Sequence, residues 1–297
     1  MENNRKGIFF AIITAVMWGV LAIALKVAVE KVDPATIVWL RFLVAFSCLL
    51  AYQLYRSPRE LKLLAKPPVI LILAVISLAW NYMGFMLGVK YAGPGSTQVI
   101  IQLGPVALVL AGIIFFKEKI SPQQLIGFTL ASVGMVIFYE QQLGQLAGAG
   151  SEFSRGVLFT VTGALAWTVY AVFQKKLVMR FPATILNLFI FGLAAILYWP
   201  FIHIDSLAHL HWGFWLLLIF LGLNTLISYG ALNLALRHTT TSTVSIILIL
   251  NPVITLGFMA VFSWMDVSWI GDEKFTWLSI TGALIVLAGA VLVVRRK

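Results

Sequence analysis

Long apolar runs separated by short polar segments make up almost the whole chain. In the first half they fall at residues 7–29, 36–55, 68–89, 95–116 and 122–139. In the second half they fall at 156–178, 183–202, 214–236, 243–262 and 276–294. Each run has the length of about 17–25 residues that a helix needs to cross the hydrocarbon core of a bilayer. Because backbone polar groups must pair internally in hydrocarbon, the pattern predicts ten transmembrane α-helices.

The second half of the sequence repeats the first. Equivalent residues recur at a spacing of 147–149 positions: Trp18 and Trp167, Pro34 and Pro182, Tyr82 and Tyr229, and Pro105 and Pro252. An odd number of spans in each copy reverses the direction in which the second copy enters the membrane. The sequence therefore predicts an all-α membrane protein built from two inverted five-helix repeats, residues 1–140 and 155–297, with a linker at 141–154. Inverted repeats are typical of secondary transporters, whose substrate site lies where the repeats meet.

Composition and charge agree with a membrane protein. Hydrophobic residues make up 61% of the chain, against roughly 45–50% in soluble domains. The net charge of +10 comes from lysines and arginines that collect at one end of the predicted helices, which argues against nucleic acid as the partner. Because such a bias marks the cytoplasmic side, we expect a multi-pass protein of the cell inner membrane with both termini in the cytoplasm. The expected partners are the lipid bilayer and a small-molecule substrate, and a monomer is the working expectation.

No aspartate, glutamate or histidine lies within any of the ten apolar runs. Intramembrane enzymes need buried acids, histidines or metal ligands, so the sequence predicts no enzymatic activity, no cofactor and no metal site. Proton-driven carriers usually relay protons through buried acids or histidines. Facilitated transport, exchange, or a coupling that bypasses such an acid is therefore expected.

Polar and aromatic residues inside the runs mark a candidate cavity wall, partly because several are one helical turn apart. The candidate substrate-binding residues are Trp18, Arg41, Asn81, Tyr82, Gln98, Gln102, Trp167, Tyr170, Asn224, Ser228 and Tyr229. Amides and hydroxyls also hold membrane helices together by hydrogen bonds, and aromatics either pack or line a pocket. Arg41 lies deep enough to need a partner in protein or water. Lys26 either meets an anion or extends to the membrane interface.

Two prolines lie near the middle of equivalent predicted spans. Pro105 and Pro252 would each kink a helix and free a backbone carbonyl. Interrupted helices near the membrane midplane are where many carriers bind substrate groups, so both residues are candidates for gating. A static kink is the alternative.

Motifs in both halves resemble the EamA family of the drug/metabolite transporter superfamily. They comprise Trp18-Gly19, the Leu-x-Pro-Val centres at 103–106 and 250–253, and the glycine-spaced closing runs at 125–134 and 280–289. A glutamate that commonly precedes the closing run matches Glu118 and Glu273. The second half departs from the family pattern by an insertion at 263–270. The resemblance covers nearly the whole chain and implies ten helices around a central cavity that carries small metabolites, often amino acids outward, by alternating access.

The expected function is export of a small polar or zwitterionic metabolite such as an amino acid, with Arg41 or Lys26 supplying a positive field for a carboxylate. A nucleotide-sugar or phosphate-ester exchanger is the alternative within transport, although such cargo calls for several cations facing the cavity. A non-transporting membrane receptor and an intramembrane lipid-modifying enzyme are the alternatives from other classes.

Overall fold

The computed structural model describes residues 2–92, 94–138, 150–208, 210–265 and 276–294. Regular structure in these residues consists of twelve α-helices and three short 3-10 helices. The α-helices are α1 (Glu2–Ala28), α2 (Pro34–Arg56), α3 (Val69–Ala92), α4 (Pro94–Ile101), α5 (Leu103–Phe116), α6 (Pro122–Phe138), α7 (Ser151–Leu177), α8 (Ala183–Tyr198), α9 (Trp212–His238), α10 (Thr241–Leu248), α11 (Asn251–Trp264) and α12 (Trp277–Val294). The 3-10 helices are Pro58–Leu64, Trp199–Phe201 and Ile204–Leu207.

Eight segments among the described residues are long and apolar enough to cross a membrane. Six of them are, or lie within, α1, α2, α3, α7, α9 and α8 with its 3-10 extension. The other two, Ser96–Phe116 and Thr241–Met259, each run through two consecutive helices. Two shorter apolar helices, Pro122–Phe138 and Ile280–Leu292, complete the set. The prediction of an all-helical, multi-pass membrane protein is confirmed.

Both prolines follow a short interruption of the helical hydrogen bonding, at Gln102 and at residues 249–250, while the backbone stays in the right-handed helical region at Gln102 and Ile249. Pro105 is the third residue of α5, and Pro252 is the second residue of α11. Proline lacks a backbone N–H, and it is tolerated in the first turn of a helix, where that N–H has no partner in any case. Each proline therefore lies in the first turn of the helix that follows the interruption, and α4 and α10 are the short helices that precede it.

Packing between helices follows the sequence repeat. The most extensive contacts join α3 with α7, α6 with α12, and α1 with α9. Exchanging the two halves turns the pair of α3 and α7 into the pair of α9 and α1, and it leaves the pair of α6 and α12 unchanged. The helices α1, α3, α7 and α9 thus form the inner group of the bundle.

Two regions of the sequence prediction fall partly outside the described residues. Residues 141–149 of the predicted linker and residues 266–270 of the insertion belong to that part, as does Glu273. Residues 151–154, which the sequence prediction assigns to the linker, form the first turn of α7 after the N-cap Gly150.

Glycines bring the backbones of α6 and α12 into direct contact. A Cβ atom built on Gly282 would lie 2.4 Å from the Phe138 nitrogen and 2.7 Å from the Gly134 oxygen. Both atoms belong to backbone, so neither moves without shifting a whole helix. Close backbone approach through small residues is a common way to join membrane helices.

We expect Gly282→Ala to lower the stability of the folded protein, because the added methyl group forces α6 and α12 apart. Overpacking of this kind typically costs about 1–3 kcal/mol. The matched control is Gly257→Ala in α11, where no atom lies within 4 Å of the added Cβ. Thermal unfolding in detergent measures both variants. Equal unfolding temperatures for the two variants would contradict the prediction.

Candidate functional site

A cavity of about 110 Å³ lies where the two broken spans meet the inner helices. A buried cavity needs a volume of only about 10–15 Å³ to hold one water molecule. The cavity therefore has room for several waters or a small solute. Nine of the residues singled out by sequence line it: Trp18, Arg41, Asn81, Tyr82, Gln98, Gln102, Pro105, Trp167 and Tyr229. Helices of both halves therefore contribute to one cavity.

Arg41 carries a buried positive charge at the cavity wall. Its side chain is only 4% exposed. Its Nε donates a hydrogen bond to the Thr225 hydroxyl at 3.1 Å, and its Nη2 donates to the Tyr82 hydroxyl at 3.3 Å. The guanidinium also lies 4.5 Å from the centre of the Tyr82 ring. All of these partners are neutral.

The described residues give Arg41 no acidic partner. Two of the five N–H donors of an arginine are used in the bonds above. A buried charge without a counter-charge is costly, and the cost falls when an anion binds to the remaining donors. Arginine is suited to this task because its planar fork matches a carboxylate in a bidentate geometry. The remaining N–H donors of Arg41 can therefore bind an anionic group.

The start of α2 fixes the depth of Arg41. The Asp33 carboxylate caps the helix by accepting hydrogen bonds from the Thr36 backbone N–H at 2.9 Å and the Thr36 hydroxyl at 2.7 Å. Burial raises the pKa of Asp33, but hydrogen bonds from Thr36, Ala35 and His203 outweigh that effect, and the net pKa lies below its ordinary value. The carboxylate is therefore ionised at neutral pH, the form that a helix N-terminus favours.

Four aromatic rings form another part of the wall. The Trp18 ring lies 5.8 Å from that of Trp167 and 5.6 Å from that of Tyr229, and the rings of Tyr82 and Tyr229 are 6.0 Å apart. The repeat-equivalent residues therefore meet one another, Trp18 with Trp167 and Tyr82 with Tyr229. Aromatic faces attract cations such as an ammonium group. The buried Trp167 Nε1 has no hydrogen-bond partner among the described residues and is a further donor for a solute.

Asn251 contributes a hydrogen-bond acceptor. It lies at the start of α11, beside the helix break, and lines the cavity. Its buried Oδ1 accepts no hydrogen bond from the described part of the chain. Because buried polar atoms are nearly always paired, this oxygen is suited to a donor from a bound solute.

Four predicted residues lie outside the cavity lining. Tyr170 is fully buried, and its ring lies 5.7 Å from that of Tyr229. The Asn224 amide donates to the Met17 carbonyl at 2.7 Å, and the Ser228 hydroxyl donates to the Thr225 carbonyl at 3.3 Å. Pro252 is buried in the first turn of α11. The bonds of Asn224 match the interpretation of polar residues as links between helices. Lys26 is exposed on α1 and does not line the cavity either.

The sequence prediction missed seven lining residues. They are Leu21, Leu25, Phe85, Met86, Ile101, Leu248 and Asn251. Six of them are apolar and carry no signal within an apolar run. Asn251 directly precedes Pro252, which could have drawn attention to it. Comparison of the two halves does not single it out, however, because the equivalent residue in the first half is a glycine.

Hydrogen bonds close the bundle at the end where α1 begins. Glu118 accepts bonds from the N–H groups of Thr241 at 2.8 Å and Ser242 at 3.1 Å, and from the Ser242 hydroxyl at 2.7 Å. Lys175 Nζ donates to the carbonyls of Leu236 at 2.5 Å and Thr239 at 2.6 Å. We call this set, together with the bond from the Thr239 hydroxyl to Asn4 at 2.5 Å, the seal.

The seal joins elements of both halves to the short connection between α9 and α10. Glu118 follows α5 and lies at the N-terminus of α10, where a negative charge is favourable. Lys175 lies on α7 and binds the C-terminal end of α9, where a positive charge is favourable. Both charges therefore stabilise the helix ends that they hold together.

Comparison with known proteins places the whole chain among membrane transporters. The profile of the EamA-like transporter family matches residues 5–139 and 154–295. The chain is 34% identical over 291 residues to the uncharacterized inner membrane transporter YhbE of Escherichia coli, covering 96% of this chain and 90% of that protein. It is 32% identical to an uncharacterized transporter of Haemophilus influenzae, covering 96% of this chain and 94% of that protein.

More distant similarities agree. A probable amino-acid metabolite efflux pump of Salmonella typhimurium is 26% identical over 304 residues, which cover 96% of this chain and 94% of that protein. One crystal structure superimposes with a TM-score of 0.78 at 18% identity, covering 97% of this chain and 96% of that one. At that identity the likeness concerns the fold alone.

Proposed function

Because the chain belongs to the EamA-like transporter family, we propose that it exports a small zwitterionic metabolite such as an amino acid through the central cavity. The observation that carries the proposal is Arg41, a buried cation at the cavity wall whose described partners are all neutral. A substrate carboxylate supplies the missing counter-charge. The name of the relative from Salmonella typhimurium supports the same class of cargo.

The remaining wall suits the amino group of such a solute. The faces of Trp18, Tyr82 and Tyr229 favour a cation, and Asn251 Oδ1 accepts a hydrogen bond. Cation and anion sites in one small cavity match a zwitterion better than a simple anion. A phosphate ester fits less well, since Arg41 is the one lysine or arginine among the described lining residues.

We further propose a ten-span topology with two inverted repeats, residues 1–140 and 155–297, and both termini in the cytoplasm of an inner-membrane protein. Three observations support it. The eight long spans and two shorter apolar helices occupy the ten apolar runs, the helix pairs exchange under the repeat, and repeat-equivalent aromatics meet in the cavity. The concentration of lysine and arginine at the end where α1 begins supports the orientation.

Transport would proceed by alternating access, with the seal closing the cytoplasmic end in the present state. The interruptions before Pro105 and Pro252 are the points at which α4 and α10 can bend relative to α5 and α11. Opening requires α10 to leave Glu118 and requires α9 to leave Lys175, both at the seal. Such rigid-body movement of one half against the other around a central site is the usual mode of inverted-repeat carriers.

The proposal is tested with purified protein in liposomes loaded with a ¹⁴C-labelled mixture of the L-amino acids. We expect one or more members to leave faster than from protein-free liposomes, and chromatography of the released label identifies them. The unlabelled amide of a released amino acid should compete less well than the acid itself, because the amide lacks the carboxylate that Arg41 binds. If no member is released above the protein-free rate, the cargo assignment fails.

A further inference from the structure

A second cavity, of about 940 Å³, opens at the end of the bundle where α1 begins. Its basic residues are Lys175, Lys176, Arg180, Arg237 and His238, and the described lining contains no acidic residue. Lys176, Arg180 and Arg237 are exposed. Phe116 and Phe181 form part of its apolar surface. We call this space the basic groove.

The basic groove and the central cavity share their helices. α1, α3, α5, α7 and α9 each contribute residues to both. Trp167 and Lys175 lie eight positions apart on α7, as do Tyr229 and Arg237 on α9. At 1.5 Å per residue, that spacing places the two spaces about 12 Å apart along the helix axes. The seal borders the groove, because Lys175 and Thr239 belong both to the seal and to the lining of the groove.

The cations of the groove have few protein partners. Lys176 lies 5.9 Å from the centre of the Phe115 ring, and Arg180 and Arg237 form no ion pair with a described acid. Lys175 uses two of its three N–H donors on carbonyls and keeps one, and it also interacts with the charge of Glu118 in the seal. Positive charge is common at the cytoplasmic face of membrane proteins, and Arg56, Arg59 and Lys62 lie outside the groove. That general excess therefore does not explain why the groove itself is lined by cations. Concave surfaces lined by one sign of charge concentrate ions of the opposite sign.

We propose that the basic groove is the cytoplasmic vestibule of the transport path and that it collects the solute by its carboxylate before the solute reaches Arg41. This inference rests on the proposed function, because it takes the solute and the direction from it. Lys176, Arg180 and Arg237 bind the carboxylate of the solute by short-range ion pairs. Lys175, the groove cation that belongs to the seal, then offers its third N–H to the carboxylate.

The test compares two triple variants in liposomes loaded with the ¹⁴C-labelled L-amino acids. One is Lys176→Gln with Arg180→Gln and Arg237→Gln. The other, the matched control, is Arg56→Gln with Arg59→Gln and Lys62→Gln, which removes three charges of the same end outside the groove. At low salt and low amino-acid concentration we expect the groove variant to release label about fivefold more slowly, because a zwitterion has no net charge and the cations act on its carboxylate only through exposed, short-range ion pairs. At saturating concentration, both variants should match the wild type.

Added salt discriminates further. The difference between the triple variants should shrink at 0.5 M KCl, because screening weakens attraction between exposed charges. Equal rates of the two variants at low salt, or a defect that salt leaves unchanged, would overturn the proposal. A defect seen only in liposomes that contain phosphatidylglycerol would also overturn it, since the groove would then bind lipid headgroups.

Cysteine labelling separates this proposal from the cargo assignment. In a Cys48→Ser background, Met179→Cys places a thiol at an exposed residue of the groove. Two reagents are compared, the anionic sulfonatoethyl methanethiosulfonate and its cationic trimethylammonium counterpart. We expect the ratio of the anionic to the cationic reaction rate to be higher at this thiol than at a free thiol in solution. The groove variant should abolish this bias. Absence of the bias would overturn the groove as an anion site. If the bias is found but no amino acid is released, the anion site stands and the proposed cargo fails.

Discussion

Replacing Arg41 with glutamine is expected to reduce amino-acid release from loaded liposomes by about 100-fold at low substrate concentration. A hydrogen bond to a charged group contributes about 1.5–3 kcal/mol, and each 1.4 kcal/mol corresponds to a factor of ten. Glutamine keeps a side-chain amide near Thr225 and Tyr82 but removes the charge. Arg41→Lys should fall between the two, because an ammonium group keeps the charge without the bidentate fork.

Stability distinguishes this effect from misfolding. Removing a buried charge that lacks a counter-charge should leave the unfolding temperature unchanged or raise it. The matched control is Lys26→Gln, which removes a cation that is exposed on α1 and lies outside the cavity; its release rate should equal that of the wild type. An Arg41→Gln variant that releases amino acids at the wild-type rate would remove Arg41 from substrate binding and with it the main support for a zwitterionic cargo.

Glu118→Ala is expected to open the seal. The variant loses three hydrogen bonds to α10, two of which satisfy N–H groups that a helix N-terminus cannot pair internally. The N-terminus of α10 then lacks both its acceptor and its negative charge. Each bond to a charged group contributes about 1.5–3 kcal/mol. We therefore expect the variant to lose most of the free energy that favours the closed state over the open state.

A thiol behind the seal reports this opening. Ser245 is fully buried on α10, and Ser245→Cys in the Cys48→Ser background changes its size little. We expect N-ethylmaleimide to modify Cys at this position at least about tenfold faster after Glu118→Ala, since 1.4 kcal/mol of lost closure shifts the open population tenfold. Glu60→Ala is the control, because Glu60 accepts from Gln53 on α2, away from the seal. Equal labelling in the two variants would show that Glu118 does not hold the end closed.

Much of the fold was predictable because hydrophobic length has a direct physical reading in a bilayer. A run such as 68–89 is long enough to cross the bilayer as one helix, and α3 covers residues 69–89 of it. The form of the interruptions in the fourth and ninth runs was harder to foresee. Pro105 and Pro252 indicated a disturbance, but whether proline kinks or ends a helix depends on how neighbouring helices pair the freed backbone groups.

The site divides along a similar line. Trp18, Tyr82 and their repeat equivalents were identifiable because the duplicated sequence marks them, and the structure brings them together. Asn224 and Asn81 looked alike in sequence, and each donates to a carbonyl of a neighbouring helix, Met17 and Gly163 respectively, but only Asn81 also lines the cavity. One helical turn decides whether such a residue reaches the cavity, and an apolar run does not indicate which face of its helix points inward.

Arg41, the one lysine or arginine among the described lining residues of the central cavity, affects how the membrane potential acts on transport. A membrane potential of 100 mV performs about 2.3 kcal/mol of work for each elementary charge that crosses. A zwitterion carries none, and Arg41 remains attached to the protein. For the proposed zwitterionic cargo, the membrane potential therefore performs no work on the solute itself.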